Sequence, residues 1–214
     1  MSTWFSQEDL TQIEGAVKAS ETNISGEIVP VFVQQAGDYP IAPTRSAFLG
    51  MGVGLTGFLL WDLLVPGWGV HDPVLITIII LTASLLFWFI NRISPAWRRW
   101  IIGKSALAAS AFSRADQWFL AEEVFKTVDR TGIMIFVARF EHQVIIKADK
   151  GISAVVPQED WQEIVDDLVR DIQARHYAQG MIDAINRCAA LLRERGMEAR
   201  PDDTNELSNK LRME

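Results

Sequence analysis

Apolar residues fall along this chain in changing rhythms, and each rhythm predicts an element. Leu10, Ile13 and Val17 recur at helical spacing while Glu14, Lys18 and Glu21 take the other faces, so an amphipathic helix is expected within residues 5–22. Ser6 can cap its first turn, Asp9 can return the bond three positions later, and Phe5 can staple onto Leu10. Ser25-Gly26 interrupts the pattern. Glu27-Ile28-Val29-Pro30-Val31-Phe32-Val33 then reads as a strand, in which Pro30, having no N–H for a ladder, predicts an edge position or a bulge.

After a polar connection around Gly37-Asp38-Tyr39-Pro40, Ala47–Val65 is apolar except for Asp62, and Val74–Ile90 is apolar except for Thr77, Thr82 and Ser84. The expected spans, about 47–66 and 73–90, are near the lower limit of length for a helix crossing a ~30 Å hydrocarbon layer. The short connection Gly67-Trp68-Gly69-Val70-His71-Asp72 leaves room only for a tight reversal, so the spans form an antiparallel hairpin. Trp61, Trp68 and Trp88 lie near the predicted ends and Trp97 and Trp100 just beyond, as expected of side chains that favour the headgroup level. The connecting loop lacks Lys and Arg, whereas Arg45 precedes the first span and Arg92, Arg98, Arg99 and Lys104 follow the second. The positive-inside rule therefore predicts a multi-pass protein of the inner or plasma membrane with both termini cytoplasmic. The alternative, a buried hairpin in a soluble fold, would need more amphipathic partners than this chain offers.

From Lys104 to Thr127 the spacing predicts a long helix with Ala108, Phe112, Ala115 and Phe119 on one face, ended by Asp129-Arg130-Thr131-Gly132. Ile133–Ala138 is a continuous apolar run, the signature of a strand covered on both faces, and Val144–Ala148 follows across the turn Arg139–Gln143, which predicts a β-hairpin at the sheet centre. Pro157 opens a helix with Trp161, Ile164, Val165, Leu168 and Ile172 on one stripe. Gly180 is expected to separate it from a last helix carrying Ile182, Ile185, Ala189 and Leu192, closed by Gly196. The tail from Glu198 is polar and expected to be extended. The first helix and strand are too small to fold alone, so residues 1–36 and 105–197 are expected to form one discontinuous module, interrupted by the hairpin insertion 37–104 and followed by the tail 198–214. The fold class is thus α/β, a small mixed sheet flanked by helices and interrupted by a two-helix transmembrane hairpin.

Composition narrows the function. The 214 residues are 49% hydrophobic yet 22% charged, too many charges for a polytopic transporter, so the apolar excess is local. A net charge of −7 supplies no basic footprint for a phosphate backbone, and nucleic acid is set aside as a partner. Cys188 is the single cysteine and sits in an apolar helical pattern, which excludes an internal disulfide or cysteine zinc cluster and predicts core filling. The opening residues lack a basic stretch followed by an apolar run, so no cleavable signal peptide is expected.

Ala111-Phe112, the run Phe125-Lys126-Thr127-Val128-Asp129-Arg130-Thr131-Gly132-Ile133, Glu141, the run Val144-Ile145-Ile146-Lys147-Ala148-Asp149-Lys150-Gly151-Ile152, Pro157 and Trp161 together resemble the TPM domain, a family named for a thylakoid lumen protein, a photosystem repair protein and a receptor-modulating membrane protein. The most specific part is Arg130-Thr131-Gly132 paired with Ala148-Asp149-Lys150-Gly151-Ile152 across a strand. The opening helix, the strand at 27–33 and the closing Asp202-Asp203-Thr204-Asn205-Glu206-Leu207 are similar as well. The resemblance implies a mixed sheet flanked by helices, acidic clusters that associate with divalent metals, and, for some members, an acid phosphatase activity. Members commonly carry a signal peptide and a separate terminal anchor, whereas here the anchor interrupts the domain.

Asp149 sits at a strand end where a carboxylate and freed carbonyls can face a divalent cation, Ca or Mg. Asp149, Asp129 and Glu141 are the candidate metal positions, followed by Asp202 and Asp203; as ordinary turn residues, Asp129 and Asp149 would simply terminate their elements. Gly52-Val53-Gly54-Leu55-Thr56-Gly57 matches a dinucleotide fingerprint but sits inside a predicted span, where Gly50-x-x-x-Gly54 is better read as close helix packing. Asp62 is expected to reach the outer interface. His71, His142 and His176 are too scattered to form a metal cluster, and no Gly-x-Ser-x-Gly elbow is present. Two functions follow: a non-enzymatic module that binds the bilayer and another membrane-associated protein, assisting assembly or quality control of a membrane complex, or a divalent-metal-dependent phosphatase.

Overall fold

In the computed structural model, residues 4–65, 72–199 and 206–214 are described, so the expectations for Trp68, His71, Asp202 and Asp203 lie outside the described residues. The chain divides into two compact units, one formed by residues 1–37 with 108–214 and the other by residues 38–107.

The discontinuous unit is built on a sheet of four described strands, β1 (Glu27–Val33), β2 (Gly132–Ala138), β3 (Gln143–Ala148) and β4 (Arg212–Met213), in the order β3-β2-β1-β4. β1 and β2 are parallel from Glu27↔Gly132 to Val33↔Ala138, and β2 and β3 are antiparallel. Parallel neighbours require a long crossover, and the second unit lies within that crossover, so inserting it breaks no strand pairing. The pleat sends Ile28, Phe32, Ile133, Ile135 and Val137 to one face and Val29, Val31, Val33, Met134, Phe136 and Ala138 to the other. On the first face lie α1 (Gln7–Glu21), α7 (Gln162–Ala174) and α8 (Tyr177–Glu194), contributing Ile13, Val17, Ile164, Leu168, Ile172, Met181, Ile185 and Leu192. On the second lies the stretch of α5 (Lys104–Ala121) that carries Ala111 and Ala115, and the one-turn α6 (Lys150–Ser153) follows β3. The expected mixed sheet flanked by helices is therefore present.

Local signals set several boundaries. Ser6 caps α1 and Asp9 completes the capping box. Gly196, at φ +80°, ends α8. Cys188 is fully buried, and burial pushes its thiol up to about 12, as expected of a core filler.

Other expectations need correction. The β2–β3 hairpin does not occupy the sheet centre: β3 is an edge strand, and β1 and β2 are the inner pair. Pro30 lies in an inner strand, yet its nitrogen faces the side on which β4 pairs only with Val31 and Phe32, so no ladder bond is lost there. Helix α5 stops at Ala121, followed by a 3₁₀ turn at Val124–Lys126, and its buried face is Leu107, Ala111 and Ala115, while Phe112 is exposed. Gly180 lies inside α8 instead of before it. The break occurs at Arg175, in left-handed conformation, and Gly180 is required because a Cβ would come within 2.6 Å of the Asp171 Cβ on α7. The tail is extended as expected where it reaches the sheet, and it adds a strand there: Arg212 and Met213 form β4, and the Glu214 N–H donates to the Phe32 carbonyl at 3.1 Å.

The second unit contains α2 (Ile41–Leu64), α3 (Pro73–Ile93) and α4 (Pro95–Ile102). α2 and α3 pack antiparallel. A Cβ on Gly50 would meet the Ala83 carbonyl at 2.5 Å, and one on Gly54 the Ala83 Cβ at 3.0 Å, so these glycines do serve close packing. Both helices are long and apolar enough to cross a membrane. Each outruns its apolar stretch: α2 gains a polar first section with Thr44, Arg45 and Ser46, and α3 starts at Pro73 under the cap of Asp72, whose carboxylate accepts the Val74 N–H at 2.8 Å.

Candidate functional site

The residues of the two motifs meet at one end of the sheet, where β1 and β2 begin and β3 finishes. Gly132 opens β2 under the Val124 carbonyl, which a Cβ would approach to 2.1 Å, and Gly151 lies against the carbonyls of Asp129 and Arg130, at 2.5 and 2.7 Å from its would-be Cβ. The two glycines of the motifs thus allow three backbone segments to close on one another. Arg130, at φ +59°, turns its side chain onto Asp149: Nε donates to Oδ2 at 2.5 Å and Nη2 to Oδ1 at 2.9 Å, a two-pronged pair. Asp149 is buried and Arg130 half exposed over the Phe125 ring. Burial pushes the Asp149 carboxyl up, but the Arg130 bonds, the Lys150 N–H and both nearby charges outweigh it and hold the group below its ordinary value.

Beside this pair stands a set of carboxylates that sequence reading did not single out. Glu27, buried at the first position of β1, accepts the N–H of Glu206 at 3.0 Å and of Leu207 at 3.3 Å. Glu21 accepts the Ile28 N–H at 3.0 Å and the Asn209 side-chain amide at 2.6 Å. Glu206 in turn accepts the Val128 N–H at 2.9 Å. Burial, reinforced by the neighbouring Glu27 charge, pushes the Glu21 carboxyl up to about 8 even though the Ile28 and Asn209 bonds oppose it. The carboxylates of this end therefore bind the segment 206–209 to the sheet. The only sequence signal was the similarity of the closing residues around Glu206 and Leu207 to the family motif, since neither Glu21 nor Glu27 departs from an ordinary helix-end or strand-start residue.

The candidate metal positions do not converge as a set. Asp129 and Asp149 lie at this end. Glu141 lies in the β2–β3 turn at the opposite end, roughly 20 Å away along the strands. There it is buried and accepts the Ala36 N–H at 3.0 Å, next to Arg139, whose guanidinium stacks on Trp4 at 3.8 Å. A single oxygen shell around a divalent cation cannot include both Asp149 and Glu141 at that separation. Among the described residues no group of three or more His, Cys, Asp or Glu side chains is placed to hold a metal ion.

Comparison with known proteins agrees with this frame. Residues 101–191 match the family model of the TPM domain. The NMR structure of the BA42 protein from the psychrophilic bacterium Bizionia argentinensis is similar in fold, with a TM-score of 0.61 and 17% identity over 100% of this chain and 98% of that one. A search of curated proteins finds no match.

Proposed function

Because residues 101–191 of this chain match the family model of the TPM domain, we propose that it is a membrane-anchored binding module, held in the bilayer by α2 and α3, that presents its TPM domain on the cytoplasmic side to another membrane-associated protein during assembly or quality control of a membrane complex. The observation that carries the anchor is exposure. Leu63 is 76%, Leu85 65% and Val74 62% exposed on helices long enough to span, and such side chains have no place in water at that density. Orientation follows from Arg45, Arg92, Arg98 and Arg99 at the end of the hairpin nearest the flanks. Outward apolar side chains on the TPM domain, Phe112, Leu120 and Val128, supply contact area for a partner.

The non-enzymatic reading is favoured over a phosphatase because Asp149 gives both oxygens to Arg130 and Glu141 is engaged at the far end. Alkaline carbonate washing of membranes should leave the chain in the pellet, and protease should reach the C-terminal segment only from the cytoplasmic side. Crosslinking in intact membranes should capture a membrane-associated neighbour through Leu120. Phosphatase activity of the detergent-purified protein with Mg²⁺ or Ca²⁺ that disappears in Asp149→Ala would reverse the choice in favour of the enzyme.

A further inference from the structure

Residues 206–214 lie on the sheet unit as a strap held at two places. At the far end β4 pairs with Val31 and Phe32, the Glu214 N–H donates to the Phe32 carbonyl at 3.1 Å, and the Gln34 N–H donates to the Glu214 carbonyl at 2.9 Å. Arg212 pairs with Glu122 at 2.7 Å, and Arg114 pairs with Glu214. At the near end the holders are carboxyl groups: Glu27 accepts the N–H groups of Glu206 and Leu207, and Glu21 accepts the Asn209 amide. Leu207 and Leu211 are only partly buried, on opposite faces of the sheet. A two-residue strand and two partly buried leucines hold far less than the cores beneath them, so the near-end bonds weigh heavily in whether the strap lies down.

The two holders also meet each other. Glu21 ends α1, Glu27 opens β1, and their carboxyl groups are in hydrogen-bond contact. Such a contact needs one proton, because two carboxylates offer acceptors and no donor. Burial and the Glu27 charge keep that proton on Glu21 up to about 8. Among the described residues, the other charged groups on the surrounding elements are Lys18 on α1, Asp129 and Arg130 before β2, Glu198 after α8, and Glu206, Lys210 and Arg212 on the strap. Arg130 is committed to Asp149, Arg212 to Glu122 and the Glu206 carboxylate to the Val128 N–H, and the charge that acts on Glu21 is that of Glu27. Once the proton leaves, two like charges face each other and one must turn to water. Glu27 is buried at the strand start, whereas Glu21 stands at the last position of its helix, and turning outward breaks its bond to Asn209.

We propose that residues 206–214 are a proton-operated strap: with one proton held between Glu21 and Glu27 the strap closes on the outer edge of β1, and without it the strap lifts while the rest of the sheet stays folded. Lifting leaves the Phe32 carbonyl and the Gln34 N–H unpaired, which opens the edge of β1 to another extended segment. As pH rises, the lifted state releases the proton first, so the closed state loses ground up to about 8 and then levels. Every residue involved belongs to the sheet unit, so the device operates with or without a bilayer around α2 and α3.

The test is hydrogen exchange of the full chain in mild detergent across neutral pH, with each rate divided by the intrinsic rate at that pH. Protection of the Glu206, Leu207 and Glu214 amides should fall about ten-fold or more between about pH 6 and about pH 8, against a linkage ceiling of about ten-fold per pH unit. The β2 amides from Ile133 to Val137 should stay protected when those of the strap are not. Glu21→Gln, whose amide donates to Glu27 without titrating, should keep the strap equally protected across the range, and Asn209→Ala should loosen it already at the acid end. If Glu21→Gln does not fold, the wild type decides alone, by its slope and by the order in which strap and β2 open. A flat wild-type profile, a slope that survives in Glu21→Gln, an Asn209→Ala strap as well protected as wild type, or strap and β2 amides losing protection together overturns the proposal.

Discussion

In the unit built on the sheet, the fully buried residues include Ile13, Val17, Val31 and Phe136; within α2 and α3 the buried residues are Ala42, Ser46, Gly50, Gly54 and Asn91, all small or polar. Outside, the order reverses. The sheet unit shows water its charged residues, including Arg170, Glu163 and Lys126, and the hairpin shows its surroundings Leu63, Leu85 and Phe89. On the membrane reading proposed above, one chain uses two packing rules. Where water is outside, burying large apolar side chains drives assembly. Where the outside is itself apolar, that drive is absent, and helices associate through close backbone approach and a few shielded hydrogen bonds.

The contrast can be broken by exchanging the rules, and the largest effect is expected in the sheet unit. Phe136→Ala should destabilise the TPM domain by about 3–5 kcal/mol in a urea titration, since a fully buried aromatic leaves a cavity between β2 and α5. Next comes Gly50→Leu, which places a side chain where even a Cβ would lie 2.5 Å from the Ala83 carbonyl; about 1–3 kcal/mol of overpacking should appear as a lower midpoint for hairpin separation in an SDS titration. The urea midpoint of the TPM domain should remain unchanged in that variant.

A smaller effect, visible as a slope, belongs to Glu21. Its carboxyl, at about 8 in the fold against an ordinary 4.5, is protonated in both states below pH 4.5. As pH rises from there the unfolded chain releases the proton while the folded chain keeps it, so stability falls through the window up to about 8 and then levels. Glu21→Gln should match wild type at the acid end and exceed it at the alkaline end, measured by thermal melts across that range. A wild-type profile that rises through the window would reject the burial of Glu21 beside Glu27. The least effect is expected at Leu85→Ala, within ~0.5 kcal/mol in either titration, because its 65% exposed side chain packs on neither unit's interior.

Much of this architecture was legible because its causes are local. The capping pair Ser6 and Asp9, the stop at Gly196, the unbroken apolar run of β2 and the apolar lengths of α2 and α3 each act within a few residues or through composition alone. The candidate site was legible only in part. The pairing of Arg130-Thr131-Gly132 with Asp149 and Gly151 could be read from the motif, but the ion pair between Arg130 and Asp149, and the distance from Asp149 to Glu141, could not.

The sequence by itself determined the three longer strands, the oily faces of α1, α7 and α8, and where the chain changes to the apolar composition of α2 and α3, because propensity, capping and hydropathy are sums over neighbours. Only the tertiary structure decided that β1 lies between β2 and a two-residue strand from the far end of the chain, that Gly180 serves a helix crossing instead of a break, and that Glu21 and Glu27 hold residues 206–209. Those are pairings between residues far apart in the chain, chosen by which surfaces fit once the sheet has formed, and no local pattern carries that choice.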